Sequence, residues 1–152
     1  MDLEQMNLGL DIDGTITACP EFFRLLTHAV AADGGRVHIV SSRTRDEDVQ
    51  RKTEAELRAL GIVFHELHLL PSAEEARRVC PHKNLDWYQQ YIWQKVDYCQ
   101  RNHVQVFFDD EAKVIDLFTR LAPGIHVFAA SVVNGSGALD SHLKPYRQSS
   151  AA

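Results

Sequence analysis

At 152 residues, with 45% hydrophobic and 24% charged residues, the chain has the make-up of one globular domain. That composition excludes a disordered, collagenous or disulfide-dense protein. The formal net charge is −5, and Lys and Arg are mixed among Asp and Glu. No basic stripe can therefore track a nucleic-acid backbone, although a small nucleotide stays open as a ligand. No run approaches the ~20 apolar residues of a membrane span.

The chain opens on an acidic stretch, MDLEQ, which lacks the basic and apolar regions of a secretory signal. Asn7–Leu10 is the first of five short apolar runs that read as strands. Pro20 starts a helical pattern (Phe22, Phe23, Leu25, Leu26, Ala29, Val30) that ends at Gly34 and Gly35. Val37–Val40 is the second strand. Asp46–Leu60 is a helix with acidic residues at its start and Gly61 as its C-cap. Strands at Ile62–Leu67, Val104–Phe108 and Ile125–Phe128 enclose helices over Leu85–Asn102 and Glu111–Leu121. Such near-continuous apolar runs suit strands covered on both faces. The alternating order predicts an α/β fold, a three-layer Rossmann-like parallel five-stranded sheet with helices on both faces. Residues 1–130 form the expected core, and the Gly- and Ser-rich stretch 131–152 reads as a loose tail. Three scattered cysteines (Cys19, Cys80, Cys99) fit a reducing cytoplasm.

In an open parallel sheet, ligands bind beyond the carboxyl ends of the strands. Those ends carry this chain's polar residues. The first strand runs into Asp11-Ile12-Asp13-Gly14-Thr15, the second into Ser41-Ser42-Arg43, and the fourth into Asp109-Asp110-Glu111. Carboxylates gathered in one crevice repel one another unless a cation lies among them, and oxygen-only ligands favour Mg²⁺. An Asp beside a metal-bound phosphoryl group can attack it, and a second Asp can move protons to and from the leaving oxygen and the attacking water. A hydroxyl and an ammonium would hold the remaining phosphate oxygens.

LGLDIDGTIT resembles the first motif of the haloacid dehalogenase superfamily, an apolar strand followed by D-x-D-G-T. HIVSSR is similar to the second motif, and VFFDD followed by a helix is similar to the fourth. The resemblance spans residues 7–128. It implies Asp11 as nucleophile and Asp13 as acid/base whose backbone carbonyl also binds metal. It further implies Ser41 as the second-motif hydroxyl and Asp109 and Asp110 as the magnesium-holding pair. Aligned on the common form of that pair, Asp110 is the direct ligand. Val114 occupies the place where many relatives carry another acid, which would shift coordination toward Asp109. The third-motif lysine maps onto Lys95, with Lys83 as rival. Ser42, Arg43 and Lys95 join Ser41 as expected substrate-binding residues.

The space for a cap domain is small. Asp13 and Val37 are close in sequence, and only Pro71–Asp86 separates the third strand from the next helix, short of the ~50 residues of a small domain. The resemblance therefore implies a capless, small nucleotidase-like phosphatase that uses Mg²⁺ on a nucleotide or other small phosphometabolite. The alternative is an inactive binding or regulatory module on the same fold. His65, His68, Cys80 and His82 could complete a zinc tetrahedron, although the two spaced histidines on a strand would face opposite ways. The aromatic run Trp87, Tyr88, Tyr91 and Trp93 covers more than one side of its helix. It suggests a homo-oligomer in which Pro71–Trp93 fences an open site.

Overall fold

The structure, a computed structural model, describes residues 5–130; the tail expected at 131–152 lies outside the described residues. Strands β1 (Asn7–Leu10), β2 (Arg36–Ser41), β3 (Glu66–Leu69), β4 (Val106–Asp109) and β5 (His126–Ala129) pair in parallel in the order β3-β2-β1-β4-β5. The helices are α1 (Pro20–Ala32), α2 (Glu47–Ala59), α3 (Ala73–Val79), α4 (Trp87–Arg101) and α5 (Ala112–Leu121). The fold is thus α/β, Rossmann-like, with helices on both faces of the sheet. None of the described helices is long and apolar enough to cross a membrane.

Two apolar clusters, one on each face, explain why the central strands are largely apolar. Leu8 and Leu10 of β1 and Val37 and Ile39 of β2 pack with Phe23 and Val30 of α1 and Leu57 of α2. Val40 of β2 and Phe107 of β4 turn the other way, toward Ile92, Val96, Leu117 and Phe118 of α4 and α5. Gly9 alternates with the two leucines, and a Cβ there would come within 2.6 Å of the Phe107 ring. The glycine in the middle of β1 thereby leaves room for the Phe107 ring of the neighbouring strand.

Strands β3 and β4 begin later than expected for one shared reason. After α1, α2 and α4 the chain passes through a left-handed residue, Gly34 (φ 85°), Gly61 (φ 75°) or His103 (φ 54°). The next amide then bonds back to the helix: Gly35 to the Val30 carbonyl (2.9 Å), Ile62 to Leu57 (3.0 Å) and Val104 to Cys99 (2.9 Å). This closure satisfies helix-end carbonyls. Ile62 and Val104 are therefore helix-capping hydrophobes, so β3 begins at Glu66 and β4 at Val106. Helix α3 was not foreseen, although Ser72 accepts from the Glu75 amide (3.2 Å) as an N-cap and Arg77 and Arg78 occupy its last turn.

Candidate active site

The sheet order reverses direction between β1 and β4, and the acids gather beyond the carboxyl ends of these two strands. The Asp11 amide donates to the Phe108 carbonyl (3.0 Å), so the ladder runs up to Asp11 and fixes its backbone. The chain then turns through Ile12–Ile16, whose Ile12 and Ile16 side chains plug into the core. That anchoring folds Thr15 back over the strand end, where its hydroxyl donates to Asp11 Oδ2 (3.0 Å). Gly14 adopts φ 81°, and a Cβ there would collide with the Asp110 carboxylate. Its absence gives Asp110 room beside Asp11.

Lys95, on the inward face of α4, is only 2% exposed. Its Nζ donates to Asp11 Oδ1 (3.0 Å) and Asp109 Oδ2 (2.7 Å). Burial alone would pull this ammonium down, but the two carboxylates outweigh it and hold it above its ordinary value. Burial also raises Asp11 and Asp109, each to about 6, against the pull of Lys95. One lysine thus leaves this buried acidic pair short of positive charge. Lys83, the rival, reaches instead for the Arg77 carbonyl (2.8 Å) at the end of α3.

Asp109 uses both oxygens inside the protein, since its Oδ1 accepts the Glu111 amide (2.9 Å) while Oδ2 holds Lys95. Asp110 is exposed, and one oxygen each of Asp11, Asp109 and Asp110 lies within 4.8 Å of the others. This all-oxygen set fits a hard divalent cation with open positions better than a softer metal. Val114 is fully buried against α4 and β4, so that position contributes to the core.

The second strand end departs from expectation in detail. Ser41 is buried, and its Oγ accepts the Arg43 amide (3.1 Å), whereas Ser42 and Arg43 line the acidic cavity. The Asp13 carboxylate does not join the acidic cluster. It takes a two-pronged ion pair from Arg43, with Nε to Oδ2 at 2.9 Å and Nη2 to Oδ1 at 2.8 Å. Those hydrogen bonds hold Asp13 below the usual carboxylate range.

Together Asp11, Asp13, Ser42, Arg43, Lys95 and Asp110 frame a cavity of about 400 Å³, closed on one side by Tyr88 and Tyr91. The Tyr91 hydroxyl donates to the Ser42 carbonyl (3.1 Å), and that of Tyr88 donates to Glu111. Two tyrosines of α4 therefore form a wall tied to both neighbouring loops. Trp93 is buried in the core and Trp87 is 66% exposed, so the aromatic run divides among three environments. A larger cavity of about 710 Å³ opens at the amino ends of the strands, but no acid lines it.

The candidate zinc ligands do not converge. His65 Nδ1 accepts the Val37 amide (2.9 Å), and His68 stacks on Tyr98 at 4.4 Å. Cys80 is buried beneath α4, its Sγ directed at the His82 carbonyl. Among the described residues, only the Asp11, Asp109 and Asp110 trio groups as a candidate metal centre.

Neither a family model nor a curated protein matches the chain. Among solved structures it is similar to a chain in "Structure of Pnkp1/Rnl/Hen1 complex" at 15% identity and a TM-score of 0.56, covering 84% of this chain and 47% of that one. A chain of the Pnkp1/Rnl/Hen1 RNA repair complex matches at 15% identity and a TM-score of 0.54, covering 85% and 43%. This chain thus spans less than half the length of either. An uncharacterized protein from Corynebacterium glutamicum matches at 14% identity and a TM-score of 0.51, over 83% of this chain and 85% of that one. At these identities the likeness is one of fold.

Proposed function

We propose that the chain is a Mg²⁺-dependent phosphomonoester hydrolase of haloacid dehalogenase type, working through an aspartyl-phosphate on Asp11. The observation that carries this reading is the buried Lys95 bridging Asp11 and Asp109, with an Asp110 oxygen within 4.8 Å of both acids. Asp11 and Asp110, with the Asp13 backbone carbonyl, would hold Mg²⁺. When bound, the ion would neutralise the acids and the substrate's phosphate.

In this reading Thr15 and Lys95 fix the two Asp11 oxygens, so the attacking group is aligned before substrate enters. A carboxylate oxygen of Asp11 bonds to phosphorus while the ester P–O bond breaks. The leaving oxygen takes a proton from Asp13. Water then attacks phosphorus, Asp13 accepts its proton, and the Asp11–phosphorus bond breaks to release inorganic phosphate. Arg43 and the Ser42 loop would bind nonbridging oxygens, and Tyr88 and Tyr91 would exclude water from one side. A cavity of about 400 Å³ suits a phosphate ester of modest size, such as a nucleotide or another small phosphometabolite.

One observation favours a second reading, a phosphate-binding module without turnover: the Asp13 carboxylate is spent on Arg43. Assay of p-nitrophenyl phosphate with Mg²⁺ and with EDTA separates the two. Metal-dependent release of phosphate is expected. Phosphate binding without hydrolysis, on this substrate and across a phosphometabolite panel, would replace the enzyme reading with the binding one.

A further inference from the structure

Most ion pairs of α2 stay within the helix, as Asp48 with Arg51 (2.7 Å) and Lys52 (3.4 Å), and Glu54 with Arg58 (3.8 Å). Glu56 is different. It leaves the helix to meet Arg43, with Nη1 at 2.6 Å from Oε2 and Nη2 at 3.3 Å from Oε1. Thr53, one turn earlier on the same face, accepts from Nη1 as well (3.2 Å). Every nitrogen of the guanidinium is therefore directed: one edge to Asp13, the other to α2. Glu56 does not line the acidic cavity, so it reaches the site only through Arg43.

A planar fork has one orientation when both edges are held. Removing Glu56 would let the Arg43 head rotate about its stem and follow Asp13 or solvent. The half-exposed pairing also adds little to folding, since such ion pairs contribute roughly 0–1 kcal/mol. Its placement, two contacts from the reacting centre, suits positioning better than stability. We propose that Glu56 is a positioning residue, bracing Arg43 so that its free edge holds the Asp13 carboxylate at a fixed place on the cavity rim. A phosphate dianion entering the cavity competes for that same edge. Arg43 then stays in place against Glu56 and Thr53, and the freed Asp13 carboxylate takes up a proton from solvent and carries it to the leaving oxygen. Substrate binding and delivery of the acid become one event, and α2 becomes part of the catalytic apparatus.

The inference rests on the phosphatase reading and is tested with aryl phosphates of graded leaving-group pKa, in saturating Mg²⁺. p-Nitrophenolate leaves with little help from a proton, whereas phenolate needs one. Glu56→Gln is expected to lower kcat on phenyl phosphate about tenfold more than on p-nitrophenyl phosphate, a fraction of the ~10²–10⁴ that general acid catalysis supplies. Glu56→Asp should recover part of that loss, and the melting temperature of both variants should match wild type. An equal loss on both substrates, or none, overturns the positioning role while leaving the phosphatase reading intact. A wild-type protein inactive on both esters and across the phosphometabolite panel sinks that reading and this inference with it.

Discussion

Asp11 and Asp13 lie two residues apart and live in opposite surroundings. Asp11 is 5% exposed, with its oxygens pinned by Thr15 and Lys95. Asp13 has a side chain 64% exposed and is held only by Arg43, itself braced from α2. One environment is rigid and short of positive charge; the other is wet and exchangeable. Under the phosphatase reading the contrast suits the two roles. An attacking group must already be aligned, whereas an acid that also serves the second half-reaction must move.

Asp11→Asn breaks the comparison most severely. It keeps the shape and the Thr15 contact but removes the oxygen proposed to attack. Under the phosphatase reading kcat should fall by roughly a thousandfold or more, as for other nucleophile replacements. Activity within tenfold of wild type would remove Asp11 from that role.

Lys95→Met tests the rigid half through stability. The methionine fills a similar volume but strands Asp11 and Asp109, both buried, with no cation between them. Breaking a buried pair in this way costs about 3–5 kcal/mol. Denaturant unfolding in EDTA should show that loss, and added Mg²⁺ should recover part of it. A loss below about 1 kcal/mol would mean that the two acids are neutral in the metal-free protein.

Much of this was legible in the sequence, and the failures have physical causes. The Asp11–Thr15 turn and the Asp109–Asp110 pair both show as apolar runs ending in acids. Burial at a sheet's centre permits little else there. Lys95 lies on an α4 face otherwise full of core residues, so helical spacing alone could pick it. The network Arg43–Glu56–Thr53 could not be seen, because Glu56 reads as one more charge on a solvated helix face. Only tertiary placement turns it toward the site. Tyr88 and Tyr91 read as part of an oligomer surface, since periodicity gives a face but not its neighbour. Ile62 and Val104 were read as strand because a capping hydrophobe and a strand residue look alike in sequence. Ser72 followed by Glu75 was a legible helix start, and α3 could have been found from it.

The pH dependence of stability sharpens the same contrast at smaller scale. Asp11 and Asp109 are raised from 3.8 to about 6 by burial. Folded protein then binds more protons than unfolded between these values. Their contribution is fully present below about pH 4 and is lost as pH rises through about 6. Metal-free protein should therefore lose stability over that interval, by of order 2–3 kcal/mol per fully expressed group. Asp13 has the opposite sign, its pairing being lost as pH falls, but its exposure makes that term small. Saturating Mg²⁺ favours the ionised acids and should flatten the slope. Equal slopes with and without Mg²⁺ would argue against cation binding at this trio.

The smallest effect belongs to the tyrosine wall, which stands between the two halves. Tyr88 presents a ring to the cavity and a hydroxyl to Glu111, the residue that caps α5 just beyond Asp110. Tyr88→Phe keeps the ring and removes only the hydroxyl. Glu111 is part-exposed, so water can replace the lost donor and no carboxylate is stranded. The expected cost is about 0.5–1.5 kcal/mol in stability, the usual worth of one such hydrogen bond. The change in KM for a small phosphate ester should stay below about threefold, because the apolar wall remains. Tyr88→Ala removes the wall itself and should raise KM more than it lowers kcat, since the reacting groups below are tied to Lys95 and not to Tyr88. A Tyr88→Phe variant that instead loses its Mg²⁺-induced rise in melting temperature would show that the Glu111 hydroxyl contact orients Asp110. The rim would then belong to the rigid half of the site.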